Sequence, residues 1–283
     1  MNFTEHVLTM QCKDEVLLGV VSQPGRASKL GVIVVVGGPQ YRVGSHRQFV
    51  MLARCLASAG HPVLRFDYRG MGDSGGAVQS FDAVEDDIAT AIDALQVACP
   101  EVEQVVLWGL CDGATASALY CDATHDVRVA GLCLLNPWVR SDATLARTHL
   151  KHYYIARLMQ GAFWRKLLRG EFEWMRAIKG LWGNLQASRG QPQTELRAKP
   201  FQNRMATALR HFSGKILLIL SANDYTAKEF VEFASTDPLW RGVLERSGLQ
   251  RVEIAGADHT FSSRQWRLLT EQVMLNWMAT LEQ

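Results

Sequence analysis

The strongest chemical signal in the chain is the run Gly109-Leu110-Cys111-Asp112-Gly113. It places a thiol two residues from a glycine on each side, the spacing of a nucleophile displayed on a sharp turn from strand to helix. Such a turn forces the nucleophile's own backbone into strain, and only residues without Cβ fit close beside it. The helix that follows aims N–H groups at the sulfur, which favours a thiolate and can stabilise an oxyanion. The pattern is short enough to recur by chance, so its context carries the weight. Residues 105–108 read as a strand, and the small residues 114–118 open a helix. The competing reading, a buried structural cysteine, suits Cys12, Cys55, Cys99, Cys121 and Cys133. No two cysteines have C-x-x-C spacing, which argues against zinc or a redox dithiol.

A thiolate nucleophile needs a base, and the base needs an orienting acid. His259 lies in Gly256-Ala-Asp-His-Thr-Phe261, just past the last expected strand. The other histidines (6, 46, 61, 125, 149, 152 and 211) fall before the turn, in a central insertion or on expected surface helices. For the acid, Leu217-Leu-Ile-Leu-Ser-Ala-Asn-Asp224 puts Asp224 in the loop after the penultimate strand. Its structural alternative is a helix cap or Asx turn ahead of residues 226–233. Asp258 is too near His259 in sequence to orient it, and Asp142 is the weaker candidate. Gly72-Asp-Ser-Gly-Gly76 imitates a serine-protease signature. The surrounding alternation of strand and helix is wrong for that fold, and Ser74 reads as a turn-fixing residue.

Those residues need a scaffold, and the hydrophobic pattern supplies one. Residues 7–21 read as an opening hairpin, and Gly31-Val-Ile-Val-Val-Val36 as a strand buried on both faces. Helical spacing follows at Phe49, Leu52, Ala53, Leu56 and Ala57, closed by Gly60. Further strands are expected at residues 62–67, 104–108, 129–135, 215–220 and 251–254. An acidic helix start lies near Asp82, Glu85, Asp86 and Asp87. This alternation predicts an α/β fold, a mostly parallel central sheet with helices on both faces. The chain has 283 residues, 48% apolar and 20% charged, with a formal charge of +2. That suffices for a large core and argues against disorder. The N-terminus has no signal-peptide pattern and no apolar run reaches spanning length, so a cytoplasmic protein is expected.

The turn Phe66-Asp-Tyr-Arg-Gly-Met-Gly-Asp-Ser74, the elbow at Cys111, Asn223-Asp224 and residues 256–261 together resemble the α/β-hydrolase superfamily. The resemblance covers nearly all of the chain outside the insertion. In that superfamily the triad runs nucleophile, acid, histidine, which implies Cys111, Asp224 and His259 and an α/β-hydrolase fold. More narrowly, residues 37–47, the elbow and Phe163-Trp-Arg-Lys-Leu-Leu168 resemble the type 1 exosortase A system-associated hydrolases. That implies a supporting role in exopolysaccharide production or the linked protein sorting. One departure stands out. The family's oxyanion loop, usually His-Gly-x, here reads Gly37-Gly38-Pro39, and proline has no N–H to donate. The N–H of Asp112 remains the first donor. The second is displaced to the N–H of Gln40 or is absent.

The alternation breaks between residues 138 and 209, an insertion expected to form a helical cap over a core of residues 1–137 and 210–283. Trp138, Tyr153 and Trp164 are its candidate substrate-binding residues. Lys and Arg far outnumber Asp142, Glu171, Glu173 and Glu195 there, so the segment is either an ordinary amphipathic cap or a basic surface for an anionic substrate or membrane. Nothing suggests nucleic acid. The expected reaction is hydrolysis of an ester or thioester through a cysteinyl acyl-enzyme, on a small-molecule or lipid- or glycan-linked acyl substrate, with no metal or organic cofactor. An acyltransferase using the same triad, or a non-enzymatic binding scaffold, are the rivals.

Overall fold

Each continuous β-branched run becomes a strand, because both faces of a central parallel strand must be apolar. The computed structural model of the chain describes residues 3–38, 40–140 and 200–282. Pro39, Tyr153, Trp164 and most of the expected cap lie outside the described residues. The strands are β1 (Phe3–Cys12), β2 (Glu15–Pro24), β3 (Leu30–Val35), β4 (Val63–Phe66), β5 (Gln104–Leu110), β6 (Val129–Leu135), β7 (Lys215–Ser221) and β8 (Leu249–Ile254). They form one sheet in the order β1-β2-β4-β3-β5-β6-β7-β8. The β1–β2 hairpin and the β2–β4 pair are antiparallel, and every other neighbour is parallel.

The side chains of the central strands alternate between two cores, as the two-residue period of a strand requires. Ile33, Val35, Val105, Leu107, Leu132, Leu134, Ile216 and Leu218 face one core. It is closed by α2 (Glu85–Ala98), α3 (Asp112–Thr124), α4 (Phe201–His211) and α5 (Tyr225–Thr236). Val32, Val34, Val106, Trp108, Cys133, Leu135, Leu217 and Ile219 face the other. That side is covered by α1 (Gln48–Ser58) and α6 (Arg264–Met278). The expected α/β-hydrolase architecture, with helices on both faces of a mostly parallel sheet, is therefore what the chain adopts. Residues 1–139 and 200–283 make up one compact unit. Helix α4 thus belongs to the core, with Met205, Ala206, Ala208 and Leu209 buried.

From β3 the chain crosses to β4 on one side and later to β5 on the other. Such a reversal opens a crevice at the carboxyl ends of the two strands, where ligands bind in open α/β sheets. Cys111 follows β5 directly, and Gly37 follows β3 after one residue.

Buried ion pairs hold the turns beside that crevice. Asp87 on α2 is fully buried and accepts bonds from the Arg69 main-chain N–H at 2.8 Å and from Arg69 Nη2 at 2.7 Å. Removing one partner of such a pair leaves the other charge buried, so Asp87→Ala should cost about 3–5 kcal/mol. Chemical denaturation checks this, and a loss below about 1 kcal/mol would mean Arg69 finds water instead. Asp67, also fully buried, accepts from the Arg42 N–H at 2.6 Å and pairs with the Arg42 guanidinium. Ser74 donates to the Asp67 carbonyl and accepts from the Leu18 N–H at 2.9 Å, so it ties the turn to β2.

Candidate active site

Cys111 sits between the end of β5 and the start of α3 with φ 61° and ψ −125°. This is a left-handed conformation that costs an L-residue energy and persists only where the surroundings enforce it. They do so here through close backbone approach. A Cβ on Gly109 would collide with the Gly113 main chain, and one on Gly113 with the Val35 carbonyl. The Cys111 carbonyl accepts from the Ala114, Thr115 and Trp138 N–H groups at 3.1–3.3 Å. Trp138 is thereby fastened to the elbow, and the Thr115 hydroxyl donates to its carbonyl at 2.7 Å.

Asp224 and His259 arrive from the ends of β7 and β8, at the same edge of the sheet. His259 Nδ1 lies 2.9 Å from Asp224 Oδ2. Asp224 is also the N-cap of α5, its two oxygens accepting from the Thr226 and Ala227 N–H groups at 3.3 and 3.1 Å. The two readings of Asp224, cap and partner of histidine, hold together. Burial works to raise its carboxyl, but the His259 bond and charge and those N–H groups outweigh it and hold it below its ordinary value. The Cys111 sulfur lies within reach of the same imidazole. The Asp224 bond, then the Cys111 bond, push His259 up to about 10 against the opposing effect of burial.

A histidine raised in the folded state stabilises the fold fully below its ordinary value of 6.5, and that contribution fades as pH climbs to about 10. A depressed aspartate contributes above 3.8 and loses its contribution as pH falls through its lowered value. The pair therefore stabilises most between those ordinary values, from 3.8 to 6.5. His259→Gln should destabilise the protein more at about pH 6 than at about pH 10, measured by denaturant midpoints. An equal loss at both would mean the ion pair does not form.

Sequence reasoning missed the residue that seats the His259 loop. Asn136, fully buried with φ 43° after β6, donates to Ser221 Oγ at 2.8 Å and to the His259 carbonyl at 3.0 Å. Its Oδ1 accepts from the Ser221 N–H at 2.8 Å, and Ser221 Oγ in turn donates to the Asp258 carbonyl. The network joins three strand ends, so it exists only in the folded chain. The one local hint was a polar Asn-Pro step closing an apolar run. Asp258 turns to Ser262 and the Thr260 N–H, away from the His259 ring.

Asp112 and Gln40 are the expected oxyanion positions. The Gly38, Asp112 and Gly113 backbone favours the charged form of the Asp112 carboxyl, against the rise that burial forces on it. Gln40 is half-buried and its Oε1 accepts from the Ser45 N–H at 3.3 Å, which closes the loop after β3. No group of three His, Cys, Asp or Glu side chains among the described residues is disposed to hold a metal ion. No helix among them is long and apolar enough to cross a membrane.

An eight-stranded, mostly parallel sheet with a strained elbow after its central strand and a histidine–aspartate pair at the same edge defines an α/β hydrolase. The chain belongs to the serine aminopeptidase S33 family of such hydrolases, whose model matches residues 28–247. Cys111 stands at the elbow of this chain, in a family named for serine. No curated protein sequence matches it significantly. Among solved structures it is similar to the Pyrococcus furiosus esterase Pf2001 (18% identity, TM-score 0.63, covering 98% of this chain and 94% of that one). It is similar also to Est1E from Butyrivibrio proteoclasticus with bound ferulic acid (16%, 0.60, 96% and 99%). A third is a dienelactone hydrolase from Anabaena variabilis (13%, 0.62, 99% of each). At these identities the likeness speaks for the fold.

Proposed function

We propose that the chain hydrolyses an ester or thioester through a Cys111–His259–Asp224 triad and a cysteinyl acyl-enzyme. The carrying observation is the meeting of three groups: Asp224 bonds the His259 imidazole at 2.9 Å, and the Cys111 sulfur lies within reach of the same ring. The thiolate attacks the acyl carbon, forming the C–S bond as the carbonyl electron pair moves onto oxygen. Collapse breaks the bond to the leaving group, which takes its proton from His259, and Asp224 steadies the imidazolium. Water activated by His259 then cleaves the thioester. With another acceptor the same intermediate makes the enzyme an acyltransferase.

The likeness of residues 37–47, the elbow and residues 163–168 to exosortase A system-associated hydrolases supports a cytoplasmic role beside exopolysaccharide production. The basic cap, lying outside the described residues, is the part assigned to the acyl substrate or an anionic membrane surface.

Selective alkylation tests the nucleophile. Burial, joined by Glu271, pushes the Cys55 thiol up to about 11, and burial with Glu101 does the same to Cys99. Burial raises Cys121 and Cys133 further, and Cys12 is 2% exposed. Iodoacetamide at neutral pH should therefore label Cys111 first, because it is half-exposed and lies beside the His259 imidazole. Even labelling of all six cysteines in folded protein would contradict the assignment.

A further inference from the structure

Beside the nucleophile lies a carboxyl group that the triad does not use. Asp112 opens α3 directly after Cys111, and its Oδ1 is buried without a well-aligned hydrogen-bond partner. That oxygen lies against the Gly37–Gly38 turn, so closely that a Cβ on Gly37 would collide with it. The Gly38, Asp112 and Gly113 main chain surrounds the same carboxyl and favours its charged form. Nearby, the phenol of Tyr68 is buried with its hydroxyl unpartnered. The carboxyl thus lies beside the turn after β3 and one residue from the nucleophile, bordering the place where an acyl oxygen on Cys111 would meet the Asp112 N–H.

We infer that Asp112 is a catalytic residue of this site: as a carboxylic acid it donates a hydrogen bond to the acyl oxygen, in place of the N–H that proline at position 39 cannot supply. The inference rests on the Cys111 acyl-enzyme reading. An ionised carboxylate at that place would repel the developing oxyanion. Two oxygens that close cannot both be anionic, and they share a single proton. The titratable groups whose charge acts with that of Asp112 are His259 from the loop after β8 and Tyr68 from the turn after β4. Burial raises the carboxyl above its ordinary value, while the surrounding main chain and His259 oppose that rise. Binding of the acyl oxygen engages that main chain and tips the balance to the acid. No proton is transferred to the substrate at this step; the Oδ–H bond stays intact.

The test is the acylation rate of Cys111 by p-nitrophenyl acetate as a function of pH, in wild type, Asp112→Asn and Asp112→Ala, with the thermal midpoint of each recorded. Asparagine is a permanent donor, so Asp112→Asn should outpace wild type at alkaline pH and lack its decline there. Asp112→Ala should be slower than wild type by roughly 100-fold below that alkaline decline, the usual effect of one lost oxyanion donor, and slower than Asp112→Asn at every pH. Alanine acylating as fast as wild type or faster below that decline, or the two variants tracking each other, overturns the proposal. If wild type forms no thioester at Cys111, the acyl-enzyme reading falls and this inference with it. A thioester that forms with alanine unimpaired sinks the Asp112 role alone.

Discussion

Cys111→Ala should lower ester turnover by on the order of 10,000-fold or more, with the fold intact. In the proposed mechanism the acyl group is carried on this sulfur, so nothing substitutes for it. The substitution also removes the second of the bonds that raise His259. The His259 titration, followed by NMR, should therefore move down from about 10 while the Asp224 bond remains. Stability should change little, because Cys111 is half-buried and alanine relieves none of the left-handed backbone strain and adds none. Turnover surviving in the alanine variant would place the chemistry elsewhere.

The second large effect is expected at Asp224. Asp224→Asn should lower the rate by on the order of 10,000-fold, because a neutral amide neither stabilises the imidazolium nor fixes its tautomer. Asparagine is as good an N-cap as aspartate, so the bonds to the Thr226 and Ala227 N–H groups survive. Asp224→Ala loses the cap as well and should be less stable than the asparagine variant by about 1 kcal/mol. Comparing rates and melting temperatures of the two variants separates the roles. Equal rates for wild type and Asp224→Asn would remove Asp224 from the mechanism.

How much of this was legible in the sequence follows from what each feature depends on. Cys111, Asp224 and His259 stand at strand ends, and the strands were readable because their β-branched runs are buried on both faces. Strand β8 begins at Leu249, two residues before the apolar-rich segment suggested, because it is an edge strand with half-exposed positions that carry no clean pattern. The helical character of residues 201–211 was readable, but its docking on α3 was not. Periodicity shows which face is apolar and says nothing about which neighbour receives it. The Asn136–Ser221 network and the buried Asp112 carboxyl were invisible for a related reason. Each gains its meaning from groups far away in sequence, the first from residues 221 and 259, the second from Gly37, Gly38 and Tyr68. By contrast, the strained elbow was legible because its glycines are local.

The most direct test of the account is the mass of the covalent intermediate. Wild-type protein mixed with p-nitrophenyl acetate, quenched in acid within the first turnover and mapped by peptide mass spectrometry, should carry one acetyl group as a hydroxylamine-labile thioester on Cys111. An acetyl group found only on a serine, or on no residue while ester is consumed, would contradict the claim that this hydrolase works through cysteine.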